Sequence, residues 1–436
     1  MPRRFEFKRL FNIWVIFGLA LLIRWCAAYL YYFVYKTPGG LPPDPTATEV
    51  YELLARELIE GRGLQSWLFA YRPPLEPMFI ALTYVVTGAK SPVAAVFAQT
   101  FVSASICLLA YQIAKELGAD ENSRKIVALL TAVDPASIGI GLVLMAETLS
   151  NFFIAASLVF LARLLKSHRL RDAAACAAGI VLAALARPNA IYFAAIVVVA
   201  IVVLTPRWLA KAGLFLGVFV LGVMPWHVRN YAYHNLFTFA TTGSFNLLFY
   251  QAVSVERWAT GKEVHDIEAE FAYELDKRLG IAGPRETYDH NSIWRQLVPT
   301  DPRADRLMRD MAFEVYLKHP LSYILVIPLH LSKLLAYTDL FAPFAVARWL
   351  EMAFNFLFYS LTGLGGILFW RKRLWVWLAA TVAPAIYFIA VPLVTGGVQD
   401  TRARTSITVC LAVMAAEGLM WLWQRRYKRP AAIQPV

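Results

Sequence analysis

The strongest constraint in this sequence is the recurrence of apolar runs about as long as a bilayer is thick. They fall at about 11–34, 92–114, 125–145, 148–165, 173–187, 190–205, 212–227, 346–370, 375–393 and 405–423. Each approaches the roughly 17–25 residues that an α-helix needs to cross a membrane. In lipid every backbone N–H and C=O must be satisfied within the protein, and a helix does this on its own. The chain has 436 residues, of which 59% are hydrophobic, against about 45–50% for a water-soluble domain. The expected fold class is therefore all-α: a polytopic membrane bundle of about ten transmembrane helices.

Charge sorts the connections into two kinds. Six segments are plainly basic: the Arg3/Arg4/Lys8/Arg9 tip, Lys115 to Lys125, Lys166 to Arg171, Arg207/Lys211, Arg371-Lys372-Arg373 and Arg425 to Arg429. Placing all six inside follows the positive-inside rule and puts both termini in the cytoplasm. The same rule accounts for the net charge of +12 without nucleic acid as a partner. Two further apolar stretches, 74–88 and 320–341, would invert every later loop if counted as spans. They are read as segments lying at the outer interface or dipping back. The first apolar run has no small-residue cleavage pattern, so a retained signal anchor is expected rather than a removed leader. Cys26, Cys107, Cys176 and Cys410 lie singly in apolar runs, which speaks against a disulfide framework or zinc knot.

Two outer pieces remain. The first, 36–91, is expected to carry juxtamembrane helices. A capping box at Thr46-Ala47-Thr48-Glu49 opens a helix near 46–60, and Gly61 closes it. The second, 228–345, carries a charged helical stretch around 262–318 and is read as an outer helical insertion. Both belong to a single membrane domain, 1–436.

The outer connections also gather acids and arginines. Arg187, Arg229, Arg402 and Arg404 stand at outer ends of spans, and Arg72 in the first outer loop. Guanidinium matches phosphate through paired hydrogen bonds and stays charged; the plainer reading is that such arginines snorkel to lipid phosphates. Glu147 sits in a tight outer turn with no basic neighbour in sequence, as a binding carboxylate or merely a helix N-terminal charge. Asp44 precedes Pro45, as a general base or simply a helix cap. Gathered from distant loops onto one face, these groups point to a reaction on an anionic substrate carried in the lipid.

The order of several short motifs resembles a known family. These are Asp44 with Tyr51 to Gly63, Tyr71-Arg72-Pro73-Pro74-Leu75-Glu76-Pro77, Asp134-Pro135, Ala146-Glu147-Thr148-Leu149 and Ala186-Arg187-Pro188. Pro225-Trp226-His227-Val228-Arg229-Asn230-Tyr231, Thr241-Thr242-Gly243, Asn246-Leu247, His319-Pro320 and Arg402-Ala403-Arg404 follow. Together they resemble the polyprenyl-phosphate-sugar-dependent membrane glycosyltransferases of the GT-C fold, in the protein-mannosyltransferase-like and lipopolysaccharide sugar-transferase-like branch.

The resemblance implies a polyprenyl-phosphate sugar donor, a glycan, lipid or protein acceptor, and an active site on the outer face of a bacterial inner membrane. It implies that Asp44 is the base of an inverting transfer. Thr48 stands where the family has its aspartate, which leaves Glu49 and Glu52 as alternative bases. Glu147 would position groups or pair with a charge, while Arg72, Arg187, Arg229, Arg402 and Arg404 would hold the leaving phosphate. Tyr51, Trp226, His227, Asn230 and His319 would meet acceptor or sugar. A divalent metal shared by Asp44 and Glu147 stays open. Two other readings of the same residues are a transporter or flippase of lipid-linked sugars, and an inactive relative that only binds them.

Overall fold

A computed structural model describes residues 12–35, 44, 50–296, 301–336, 345–396 and 401–427. Among the described residues the regular structure is helical throughout. The elements used below are α1 (Ile13–Tyr29), α2 (Tyr51–Ile59), α3 (Leu75–Thr87), α4 (Pro92–Leu117) and α5 (Glu121–Ala132). They continue with α6 (Glu147–Ser167), α7 (Leu170–Ala186), α8 (Phe193–Leu204), α9 (Trp208–His234), α10 (Val264–Leu279) and α11 (Arg303–Lys318). The last four are α12 (Pro320–Leu335), α13 (Ala345–Arg371), α14 (Ala383–Thr395) and α15 (Thr408–Tyr427).

Among the described residues seven helical stretches are long and apolar enough to cross a membrane: Ile13–Val34, Pro92–Leu117, Glu147–Ser167, Trp208–His234, Arg348–Arg371, Trp375–Thr395 and Arg402–Arg426. Three shorter apolar helices, Leu75–Thr87, Pro188–Leu204 and Pro320–Leu335, accompany them. Large apolar side chains face outward on these helices, Leu221 at 76% and Phe356 at 78% exposure. With lipid as the solvent such a belt is the expected surface.

The predicted span 125–145 differs most from the structure. It is broken, with α5 ending at Ala132 and a new turn running Pro135–Ile140. Pro135 cannot continue a helix. Asp134 caps the new turn by accepting from the Ser137 N–H at 3.0 Å. The same carboxylate receives the buried Arg404 guanidinium at 2.9 Å and the Thr408 hydroxyl at 3.1 Å. The break therefore turns a costly buried charge into a satisfied one. Arg24, inside α1, is likewise held, donating to Ser103 Oγ at 2.9 Å and to the Ala132 carbonyl at 2.8 Å.

Small residues set how closely the helices approach. α6 packs on α7 and α4, α9 on α7, and α13 on α15. A Cβ on Gly179 of α7 would come within 2.8 Å of Ser157 Cβ on α6. One on Gly365 of α13 would collide with the Met414 carbonyl of α15. Such small-residue seams replace the hydrophobic drive that is absent between helices in lipid.

On the first outer piece the Thr46–Glu49 box lies outside the described residues. The helix end follows expectation: Gly61 adopts φ +76°, with Gly61 N–H donating to Leu58 O and Arg62 N–H to Glu57 O. The insertion has its own apolar core, in which Phe249, Leu275, Met308 and Ala312 are buried. Three cysteines are buried, whereas Cys26 is exposed.

Candidate active site

The first residue of α6, the ends of α2, α7 and α9, and the loops around 71 and 402 enclose a cavity of about 360 Å³. Arg72, Arg187 and Arg402 line it, with Glu147 as its acid. Arg187 Nη1 lies 3.2 Å from Glu147 Oε1. The N–H is not aligned on the carboxylate, so Nη1 has no hydrogen-bond partner despite its burial. That leaves a buried donor beside the cavity. The charges of Arg187, Arg402 and Arg72 all act on Glu147. Three guanidinium groups around one carboxylate leave the lining net positive, which suits an oxyanion.

Local structure explains each placement. Glu147 opens α6, where a negative charge meets the positive end of the helix dipole. Arg187-Pro188 ends α7, because the residue before a proline prefers extended backbone and Arg187 adopts φ −139°, ψ 123°. Arg72 is held over the Tyr71 ring at 4.3 Å and the Tyr51 ring at 5.6 Å, and donates to Tyr71 Oη at 3.2 Å. Arg402 reaches Met145 Sδ at 3.7 Å. His227 Nδ1 donates to the Val223 carbonyl at 3.1 Å. That bond sets the tautomer and leaves Nε2 as the acceptor.

The structure thus brings Tyr51, Arg72, Glu147, Arg187, His227 and Arg402 onto one cavity. It does not bring all of the candidates there. Arg229 points away, donating to the Leu64 and Ser66 carbonyls and to Asn230 Oδ1. Asn230 donates to the Thr238 and Phe239 carbonyls, and Trp226 packs on Phe69. The physical reason is helical phase: a step of about 100° per residue puts Arg229 on a different side from His227. Arg404 is separated from Arg402 in the same way and is fully buried against Asp134. His319 sits 3.3 Å from Glu256 within the insertion. None of these five side chains lines the cavity; their contacts are with the scaffold around it.

Among the candidate bases, Glu49 lies outside the described residues. Glu52 is occupied by Arg56 and by the Tyr84 hydroxyl at 3.0 Å. Asp44 is exposed and is not part of the lining. It lies within electrostatic reach of Tyr32, whose hydroxyl bonds the Leu142 carbonyl just before Glu147. Among the described residues no group of three or more His, Cys, Asp or Glu side chains is arranged to hold a metal ion.

Asn189, Thr242 and Asn246 also line the cavity. They went unassigned as site residues, although Thr242 and Asn246 fall in motifs that carried the resemblance. Glu76 on α3 falls in the Tyr71–Pro77 motif that carried the resemblance but was given no role there: it is fully buried within reach of Glu147, with neither carboxyl oxygen hydrogen-bonded. Its position four residues after Arg72 carries no signal of burial.

Residues 71–228 match the family model described as dolichyl-phosphate-mannose-protein mannosyltransferase. That range includes Arg72, Glu147, Arg187 and His227. A comparison with curated proteins found no match. Among solved structures, the archaeal oligosaccharyltransferase AglB from Archaeoglobus fulgidus, with an inhibitory peptide and a dolichol-phosphate, is similar at a TM-score of 0.53 and 13% identity. The match takes in 99% of this chain and 53% of that one. The apo form of the Archaeoglobus fulgidus oligosaccharyltransferase gives 0.54 and 14%, over 97% and 52%. The chain spans about half the length of these relatives. ArnT from Cupriavidus metallidurans, bound to undecaprenyl phosphate, gives 0.41 and 14% over 93% and 77%, a score too low to add to the argument. The chain is a multi-pass helical membrane protein with the GT-C fold, the fold of these oligosaccharyltransferase structures.

Proposed function

We propose that this chain transfers a sugar from a polyprenyl-phosphate donor to an acceptor hydroxyl at the outer face of a bacterial inner membrane. The observation that carries the reading is the cluster of Arg72, Arg187 and Arg402 about Glu147 in a single cavity. At about 360 Å³ it is near the low end of small-molecule sites, about 300–1,000 Å³. That suits one sugar and its phosphate, with the isoprenoid tail running out past Ile191 and Pro392 into lipid.

In this reading a first-loop carboxylate, Asp44, takes the proton of the acceptor hydroxyl. The oxygen attacks the anomeric carbon, the bond from that carbon to the donor phosphate breaks, and the configuration inverts. The phosphate leaves with the electron pair, and its growing charge falls on the arginines, which are already in place. Glu147 holds Arg187 at the required position. His227 Nε2 accepts from a sugar hydroxyl, and Tyr51 shapes the wall beneath Arg72. Both termini lie in the cytoplasm, as the basic connections require.

The test is transfer of a radiolabelled polyprenyl-phosphate sugar in proteoliposomes, comparing wild type with Asp44→Asn and Arg187→Ala. Label reaching an acceptor with wild type alone supports the reading. Passage of the labelled lipid across the bilayer without transfer makes the protein a transporter, and binding alone makes it an inactive relative.

A further inference from the structure

A second cavity, of about 690 Å³, lies where α6 ends and α7 begins, against the end of α4. α6 runs 21 residues from Glu147 to Ser167. At a rise of about 1.5 Å per residue the two cavities are about 30 Å apart, one hydrocarbon thickness. The second cavity is therefore at headgroup depth on the face opposite the candidate active site.

Its charges are arranged unevenly. Glu116 takes Arg163 Nε at 2.9 Å, and its carbonyl takes Lys166 Nζ at 2.7 Å. Asp172 accepts from the Ser167 hydroxyl at 2.8 Å. Arg163 is further pinned over the Phe160 ring at 5.6 Å. The acids are thus already engaged. Arg169 and Arg171 also line the cavity, and among the described residues neither guanidinium makes a hydrogen bond or ion pair; Arg169 is tied only through its backbone N–H, to Ser167 Oγ. His168, at φ 57°, makes the tight turn that sets these two arginines at the rim. Four cations against two carboxylates leave the lining net positive.

We propose that this cavity binds a phosphate oxyanion at the membrane surface, with Arg169 and Arg171 as its donors. A basic pocket between helix ends at headgroup depth is suited to an anionic lipid, and guanidinium pairs bidentately with phosphate. The same chemistry would serve a phospholipid headgroup or a soluble phosphate.

The experiment uses the full chain in a neutral detergent, with melting followed as each probe is titrated. The probes are short-chain phosphatidylglycerol, short-chain phosphatidylcholine and inorganic phosphate. Wild type is compared with R169A/R171A and with R425A/R426A, which removes the same charge from another basic helix end on that face. Phosphatidylglycerol should raise the melting temperature of wild type and of R425A/R426A, with phosphatidylcholine inert. R169A/R171A should need at least about ten times more lipid for the same shift. If inorganic phosphate alone reproduces this pattern, the ligand is a soluble phosphate and the site stands. Equal responses from all three proteins, or equal losses in both variants, would overturn it.

Discussion

Replacing Glu147 by Gln isolates the role of the carboxylate without changing its shape. The pair with Arg187 is separated by 3.2 Å. At an effective dielectric of about 20 two unit charges at that distance attract by about 5 kcal/mol. Arg187 is 23% exposed on the cavity side, and water there recovers most of that when the charge is removed. The net loss of folding stability should be about 1–2 kcal/mol, a shift of a few degrees in melting. Turnover should fall far more. Without its counter-charge the Arg187 guanidinium is no longer preorganised, and losing one such donor costs about 10²–10³ in rate. The assay is initial sugar transfer in proteoliposomes, paired with melting of the same preparation in detergent. An unchanged initial rate in a folded Glu147→Gln protein would refute the argument that this carboxylate positions the phosphate site.

Other expectations follow from the same geometry. Asp134→Ala should destabilise by about 3–5 kcal/mol, because it strands a fully buried Arg404; the double variant Asp134→Ala/Arg404→Leu should recover part of the loss in a melting assay. Arg229→Lys should lower the melting temperature, since an ammonium lacks the planar fork that spans the Leu64 and Ser66 carbonyls and Asn230 Oδ1, while leaving donor affinity little changed. Gly179→Val should weaken the α6–α7 seam by about 1–3 kcal/mol, read as lost yield and melting. On the insertion, Arg278 holds the Glu314 carboxyl below its usual value through hydrogen bonds at 2.7 and 2.8 Å. A depressed acid contributes stability above its unfolded pKa and loses it as pH falls through the folded one. Glu314→Gln should therefore cost under about 1 kcal/mol near pH 7, an exposed pair being weak, and progressively less as pH falls below the usual glutamate range.

Some of the site was legible in the sequence because it depends on chain chemistry near helix ends. Arg187 stands before a proline, Glu147 in a turn between apolar runs, and Arg72 before two prolines; each had to lie at a membrane boundary. The division of neighbouring candidates was not legible. Trp226 to Asn230 form one motif, yet His227 faces the cavity while Arg229 and Asn230 secure the loop at 64–66 and the turn at 238–239. Phase about a helix axis is fixed by what the opposite faces pack against, and partners 165 residues away in the chain leave no mark in the motif. The broken span at Asp134-Pro135 was missed for a related reason, because the average hydrophobicity of 125–145 hides a single carboxylate that Arg404, Thr408 and Ser137 together make tolerable.

Apolar length and the sorting of basic residues were enough to determine a helical, membrane-embedded chain, since lipid offers the backbone no other partner. Order of motifs was enough to suggest the kind of fold. Which arginines serve a ligand and which serve the protein was decided only by tertiary structure. A guanidinium has the same charge in both roles; what differs is whether its donors meet carbonyls of the folded chain, as in Arg229, or face an open cavity, as in Arg187.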